Sequence, residues 1–100
     1  MKNEQIKYTI YLGLNDKDKH EQLYTFDEVT NLTMSLLDYA TFQMGKGLYK
    51  KELENCIIIT RISNDTEEEL IKAFCNTLKF AFNQESVLYT KEDIKEVIYC

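Results

Sequence analysis

The chain has 100 residues, 44% hydrophobic and 29% charged, with a formal net charge of −5 and no proline. That length suits a single domain over residues 1–100 with one core, and the composition excludes a disordered tail or a linker. The acid excess, with Arg61 the one arginine among twelve basic residues, leaves little material for phosphate or base recognition and favours a basic protein partner over nucleic acid.

Met1 to Gln5 carries no apolar signal core, and the strongest apolar run, Cys56 to Ile59, is far too short to cross a bilayer. A cytoplasmic protein without a membrane partner is expected. Lys7 to Leu14 alternates at the strand period, with Tyr8, Ile10, Leu12 and Leu14 on one face and Thr9 and Tyr11 on the other. Gly13 allows a bulge or a close backbone approach. Asn15 to Gln22 reads as a polar loop.

Thr25 and Glu28 then form a capping box, each side chain meeting an orphan backbone donor. Val29, Leu32, Leu36, Leu37 and Ala40 follow at helical spacing. Phe42 to Tyr49 has strand-forming ends around Gly45-Lys46-Gly47. Asn55 to Ile62 is the clearest buried strand, and the two are predicted to pair as a hairpin with a glycine-containing bend or bulge. Asp65 and Thr66 offer caps to a second helix, whose first turn holds Glu67, Glu68 and Glu69, as the helix dipole favours. Leu70, Phe74, Leu78 and Ala81 make its inward stripe, with Ile71 and Phe82 beside it. Ser86 to Tyr89 resumes as a strand. Lys91 to Cys100 is either a short helical turn or a turn and an extra C-terminal strand.

The order strand, helix, strand, strand, helix, strand predicts an α+β, ferredoxin-like βαββαβ fold: an antiparallel sheet with two helices on one face. The other face is then open. Alternation places Thr9 and Tyr11 there, and also Ile57, Ile59 and Arg61 if Cys56, Ile58 and Ile62 face the helices. Two isoleucines and a tyrosine on a solvated face call for a cover. The C-terminal segment, a second copy in a sheet-to-sheet homodimer, or a protein partner are the three candidates. Tyr11 also suggests base stacking of the RNA-recognition kind, but Lys46-Gly47-Leu48-Tyr49 is only a fragment of that signature and the charge balance opposes it.

The topology also predicts a polar edge, where Asn15 and Asp16, Asn64 and Asp65, and Asn83, Gln84 and Glu85 approach one another. Turn and cap chemistry explains those residue types. The alternative is a small hydrogen-bonding or cation site at Asn15, Asp16, Asn83 and Glu85. The acidic helix start, Asp65 with Glu67, Glu68 and Glu69, is explained by the helix dipole or serves as a contact for a basic groove. His20 sits in a charged loop and nothing marks it as a base. The three cysteines lack paired spacing: Cys56 and Cys75 read as core residues and Cys100 as a free thiol, so no metal site and no cofactor are expected. No catalytic constellation stands out.

Three segments are familiar: Tyr11-Leu12-Gly13-Leu14-Asn15-Asp16-Lys17-Asp18, Gly47-Leu48-Tyr49-Lys50-Lys51-Glu52, and Phe82-Asn83-Gln84-Glu85-Ser86-Val87. In that order they resemble small uncharacterised proteins of phages, plasmids and other mobile elements of low-GC bacteria. The resemblance implies a ferredoxin-like fold and brings no catalytic residues. It also implies, by association, inhibitors of host defence of the anti-CRISPR type, which block a basic nucleic-acid-handling surface. The expected function is therefore a non-enzymatic protein-binding module, with contacts from Asp65, Glu67, Glu68, Glu69, Tyr11, Ile57, Ile59 and Arg61. The alternative is a small ligand-binding or enzymatic ferredoxin-like homodimer, with Asp16, Tyr49 and Glu85 as its residues to test.

Overall fold

The structure is a computed structural model and describes residues 5–100. Its elements are β1 (Gln5–Gly13), α1 (Phe26–Leu36), β2 (Thr41–Tyr49), β3 (Glu52–Ser63), a 3-10 turn (Asp65–Glu67), α2 (Glu68–Ala81) and β4 (Leu88–Ile94). The strands form one antiparallel sheet in the order β2-β3-β1-β4. This is the expected α+β, ferredoxin-like arrangement.

The core lies between the sheet and the helices. Tyr8, Ile10 and Leu12 of β1 share their face with Arg61, Ile59 and Ile57 of β3, directly opposite them in register. Val29 and Thr33 of α1 and Ile71, Phe74, Cys75 and Leu78 of α2 close over that face. The parity expected for β1 holds. The parity expected for β3 is inverted: Ile57 and Ile59 have no exposed surface, and Arg61 is only 5% exposed. Cys56, Ile58, Thr60 and Ile62 face the open side instead. The reason is Arg61 itself. Its Nε and Nη2 donate to Glu67, its Nη1 donates to Asp38 and to the Tyr39 carbonyl, and it stacks on the Tyr39 ring at 3.9 Å. Partnered at all three of its nitrogens, the guanidinium can lie beneath the helices, where a charge is normally excluded.

The capping box forms as expected, with Thr25 Oγ1 accepting from the Glu28 N–H and Glu28 accepting from the Thr25 N–H. The helix stops at Leu36, before the expected Ala40, because Asp38 and Tyr39 are drawn onto Arg61. The hairpin has no bulge. β2 and β3 stay in continuous register to Tyr49↔Glu52, and Lys50 and Lys51 turn the chain with φ of 50° and 66°, the sign pattern of a type I′ turn. Asn64, not Asp65 or Thr66, caps the second helical segment by accepting from the Thr66 N–H. Along α2 Phe74 and Leu78 are buried as expected, and Ile71 and, just past its end, Phe82 are buried with them, whereas Leu70 is 41% exposed and Ala81 also faces solvent. β4 runs from Leu88 to Ile94, beyond the expected Tyr89, and residues 95–100 form neither helix nor strand.

Candidate functional site

β1 pairs with β3 only as far as Gly13↔Cys56, so the rest of the β2–β3 hairpin overhangs the end of β1. The open face of the sheet and this overhang enclose a groove of about 970 Å³. Its floor is a row across three strands, Ile58, Tyr11 and Leu88, in direct register. Cys56 continues the floor between Gly13 and Gly45, so its expected place in the core is corrected: it is half-buried beneath the groove, and burial raises its thiol pKa. Cys75 does lie in the core.

One wall comes from the hairpin tip. Tyr49 donates its hydroxyl to Glu85 at 2.9 Å, and Lys50 Nζ approaches the same carboxylate at 3.4 Å. These contacts hold the Glu85 carboxyl below its ordinary range, the Tyr49 hydrogen bond first and the Lys50 charge next. Lys50 is raised in return, chiefly by the Glu85 charge. On the neighbouring rungs Glu54 accepts the Asn15 N–H at 3.0 Å, and Glu52 meets His20 Nδ1 at 3.3 Å.

The other wall is the polar edge. Asp16 is 5% exposed and its carboxylate accepts from the Asp18 and Lys19 N–H groups, the Tyr24 hydroxyl and the Asn83 side chain. Those donors, led by Asn83 and Tyr24, hold its carboxyl far below the usual aspartate range. The Lys17 N–H donates to the Asn83 carbonyl, and Gln84 Nε2 donates to the Asn15 carbonyl. The β1–α1 loop and the α2–β4 connection are thus joined, which sets Glu85 at the rim beside Tyr49.

The predicted convergence of Asn15, Asp16, Asn83, Gln84 and Glu85 is present. Asn64 and Asp65 do not join it. β3 runs antiparallel to β1, so its end lies beside the start of β1, where the Asn64 carbonyl accepts from the Tyr8 hydroxyl. Of the other residues singled out, Tyr11 is on the open face, 39% exposed. Ile57, Ile59 and Arg61 lie on the opposite face and cannot contribute to it. Two of the four helix-start acids are engaged within the fold, Glu67 with Arg61 and Glu68 with Lys91 and Tyr89. Glu69 is exposed beside Lys72. Glu52, Glu54, Cys56, Ile58 and Leu88 were not anticipated, and the correct parity of β3 was the signal that would have found the first four.

Among the described residues no group of three His, Cys, Asp or Glu side chains is arranged to hold a metal ion, and no helix is long and apolar enough to cross a membrane. No protein-family model and no curated protein matches the chain. The fold is similar to a solved structure of a phage SAM lyase in its apo state, with a TM-score of 0.72 and 25% identity over 93% of this chain and 83% of that one. This finding overturns the expectation of a non-enzymatic inhibitor, because the similar protein is an enzyme. It accords with the resemblance to phage proteins, and nothing in the comparisons supports an anti-CRISPR role.

Proposed function

We propose that this chain is a small enzyme that cleaves S-adenosylmethionine as a lyase, in the groove on the open face of its sheet. The observation that supports this most directly is the likeness over nearly the whole chain to a phage SAM lyase. The groove is of a size that holds a nucleoside-like ligand. Tyr11 and Tyr49 offer aromatic surface for a purine, and the carboxylates of Glu54 and Glu85 favour a cation over a neutral molecule. The phage source of the similar structure supports placing the chain among small proteins of phages and other mobile elements.

The chemistry asks little of the protein. A sulfonium is a good leaving group, because breaking one C–S bond leaves the electron pair on a sulfur that becomes a neutral thioether. The carbon fragment then completes its valence without water. It either loses a proton to a carboxylate or closes on an oxygen of the substrate's own carboxylate. In both routes the protein holds the cation and the reacting carbon in line and keeps water from the carbon. Glu85, fixed by Tyr49 and Lys50, is placed at the rim of the groove to orient the reacting carbon.

The test is the rate of loss of S-adenosylmethionine and appearance of a neutral thioether, read by mass, for the wild type and for Glu85→Gln and Tyr49→Phe. Both side chains are exposed enough that the fold should survive, so melting temperatures should change little. The expected result is a loss of kcat/KM of about tenfold or more in each variant. Undiminished turnover in both would remove Tyr49 and Glu85 from the site.

A further inference from the structure

Among the acids lining the groove, Glu54 is distinctive. Asp16 is saturated by hydrogen-bond donors, Asp18 is exposed to water and accepts from Asn83, Glu52 is beside His20, and Glu85 is beside Lys50. Glu54 is half-buried and makes no ion pair with any lysine, arginine or histidine among the described residues. It is nevertheless fixed in place. Oε2 accepts the Asn15 N–H at 3.0 Å, and the carboxylate lies over Gly13, where a Cβ would come within 2.5 Å of Oε1. Only glycine at position 13 leaves room for it. A carboxylate held this way, partly withdrawn from water and without a counter-charge, gains most from a positive group on a ligand.

We propose that Glu54 is the counter-charge for the ligand's cationic centre, so that the groove takes a sulfonium, or a protonated amine of the same shape, in preference to a neutral thioether. This rests on the reading of the groove as a site for S-adenosylmethionine. It adds a direction to the reaction: when the C–S bond breaks the positive charge disappears, and the thioether loses its partner and leaves.

The test uses two ligands that are not cleaved. One is S-adenosylhomocysteine, with a neutral sulfur. The other is the S-adenosylmethionine isostere in which a tertiary amine replaces the sulfonium, used under mildly acidic conditions that protonate it. Calorimetric titration of the wild type should show the amine binding about fivefold or more tightly than the thioether, a preference that shrinks as salt is added. Glu54→Gln should abolish the preference and leave the affinity for S-adenosylhomocysteine nearly unchanged. Gly13→Ala, which displaces the carboxylate from its seat, should do the same.

An unaltered preference in Glu54→Gln overturns the proposal. So does an equal weakening of both ligands, which would assign Glu54 to a group they share, and so does a wild type that binds neither. The two readings separate cleanly. A Glu54-dependent preference without turnover of S-adenosylmethionine keeps the charge seat and removes the lyase. Turnover with a preference indifferent to Glu54 does the reverse.

Discussion

Asp16 organises one wall of the groove with a single carboxylate. Four donors converge on it, two from its own loop, one from Tyr24 and one from Asn83 at the far end of the chain. Its carboxyl is held far below the value of about 3.9 expected for an unfolded aspartate. The unfolded chain therefore takes up a proton first as pH falls. The stabilisation is complete above roughly pH 5 and is lost as pH drops through the unfolded value toward the native one. Asp16→Asn turns an amide nitrogen toward groups that are all donors, so it should lower the melting temperature at neutral pH. The gap to wild type should narrow steadily when the melts are repeated toward pH 3; a gap constant with pH would show that the charge is not what Asp16 contributes. Asp16 and Asn83 were legible in the sequence because the turn after a strand and the end of a helix favour such residues, Asn83 with a φ of 44° just past α2. The bond between Tyr49 and Glu85 was not, since it depends on how far the hairpin overhangs β1.

At the scale of elements, β3 decides which face of the sheet is which. Its alternation was plain, but the choice of inward residues turned on Arg61, and a charged residue at an inward position contradicts the simple expectation. The partners that make burial tolerable lie on two separate segments, Asp38 and the Tyr39 carbonyl between α1 and β2 and Glu67 in the 3-10 turn, which no local pattern reveals. Arg61→Ala should destabilise by about 3 kcal/mol in denaturant unfolding, because it leaves Glu67 partly buried and unpaired. The double change Arg61→Met with Glu67→Leu should recover most of that loss. A double variant as unstable as the single one would mean that the charges themselves, and not their mutual compensation, hold the helix start to the sheet. By the same inversion Ile59 belongs to the core. Ile59→Ala should cost about 2–5 kcal/mol and leave any self-association unaltered in light scattering, where an interface residue would have changed association with little loss of stability.

For the whole molecule, the order of elements was enough to predict the sheet and its covered face, because strand and helix periods and the capping box survive in the sequence. What the open face does was not legible. Its residues are drawn from all four strands and from both loops at one end, and the fold alone hosts many activities. Half of the acidic helix start, so prominent in the sequence, is spent within the fold, on Arg61 and on Lys91 with Tyr89. The apolar open face is a groove with a floor of Tyr11, Ile58 and Leu88 and walls of fixed carboxylates. The function proposed for this groove is the cleavage of S-adenosylmethionine. It is tested most directly by incubating the purified chain with that molecule alone and following substrate and products by mass. Steady consumption is expected, with a neutral thioether and a second fragment whose masses sum to that of the substrate. Unchanged substrate, or initial products that together contain an added water, would contradict it.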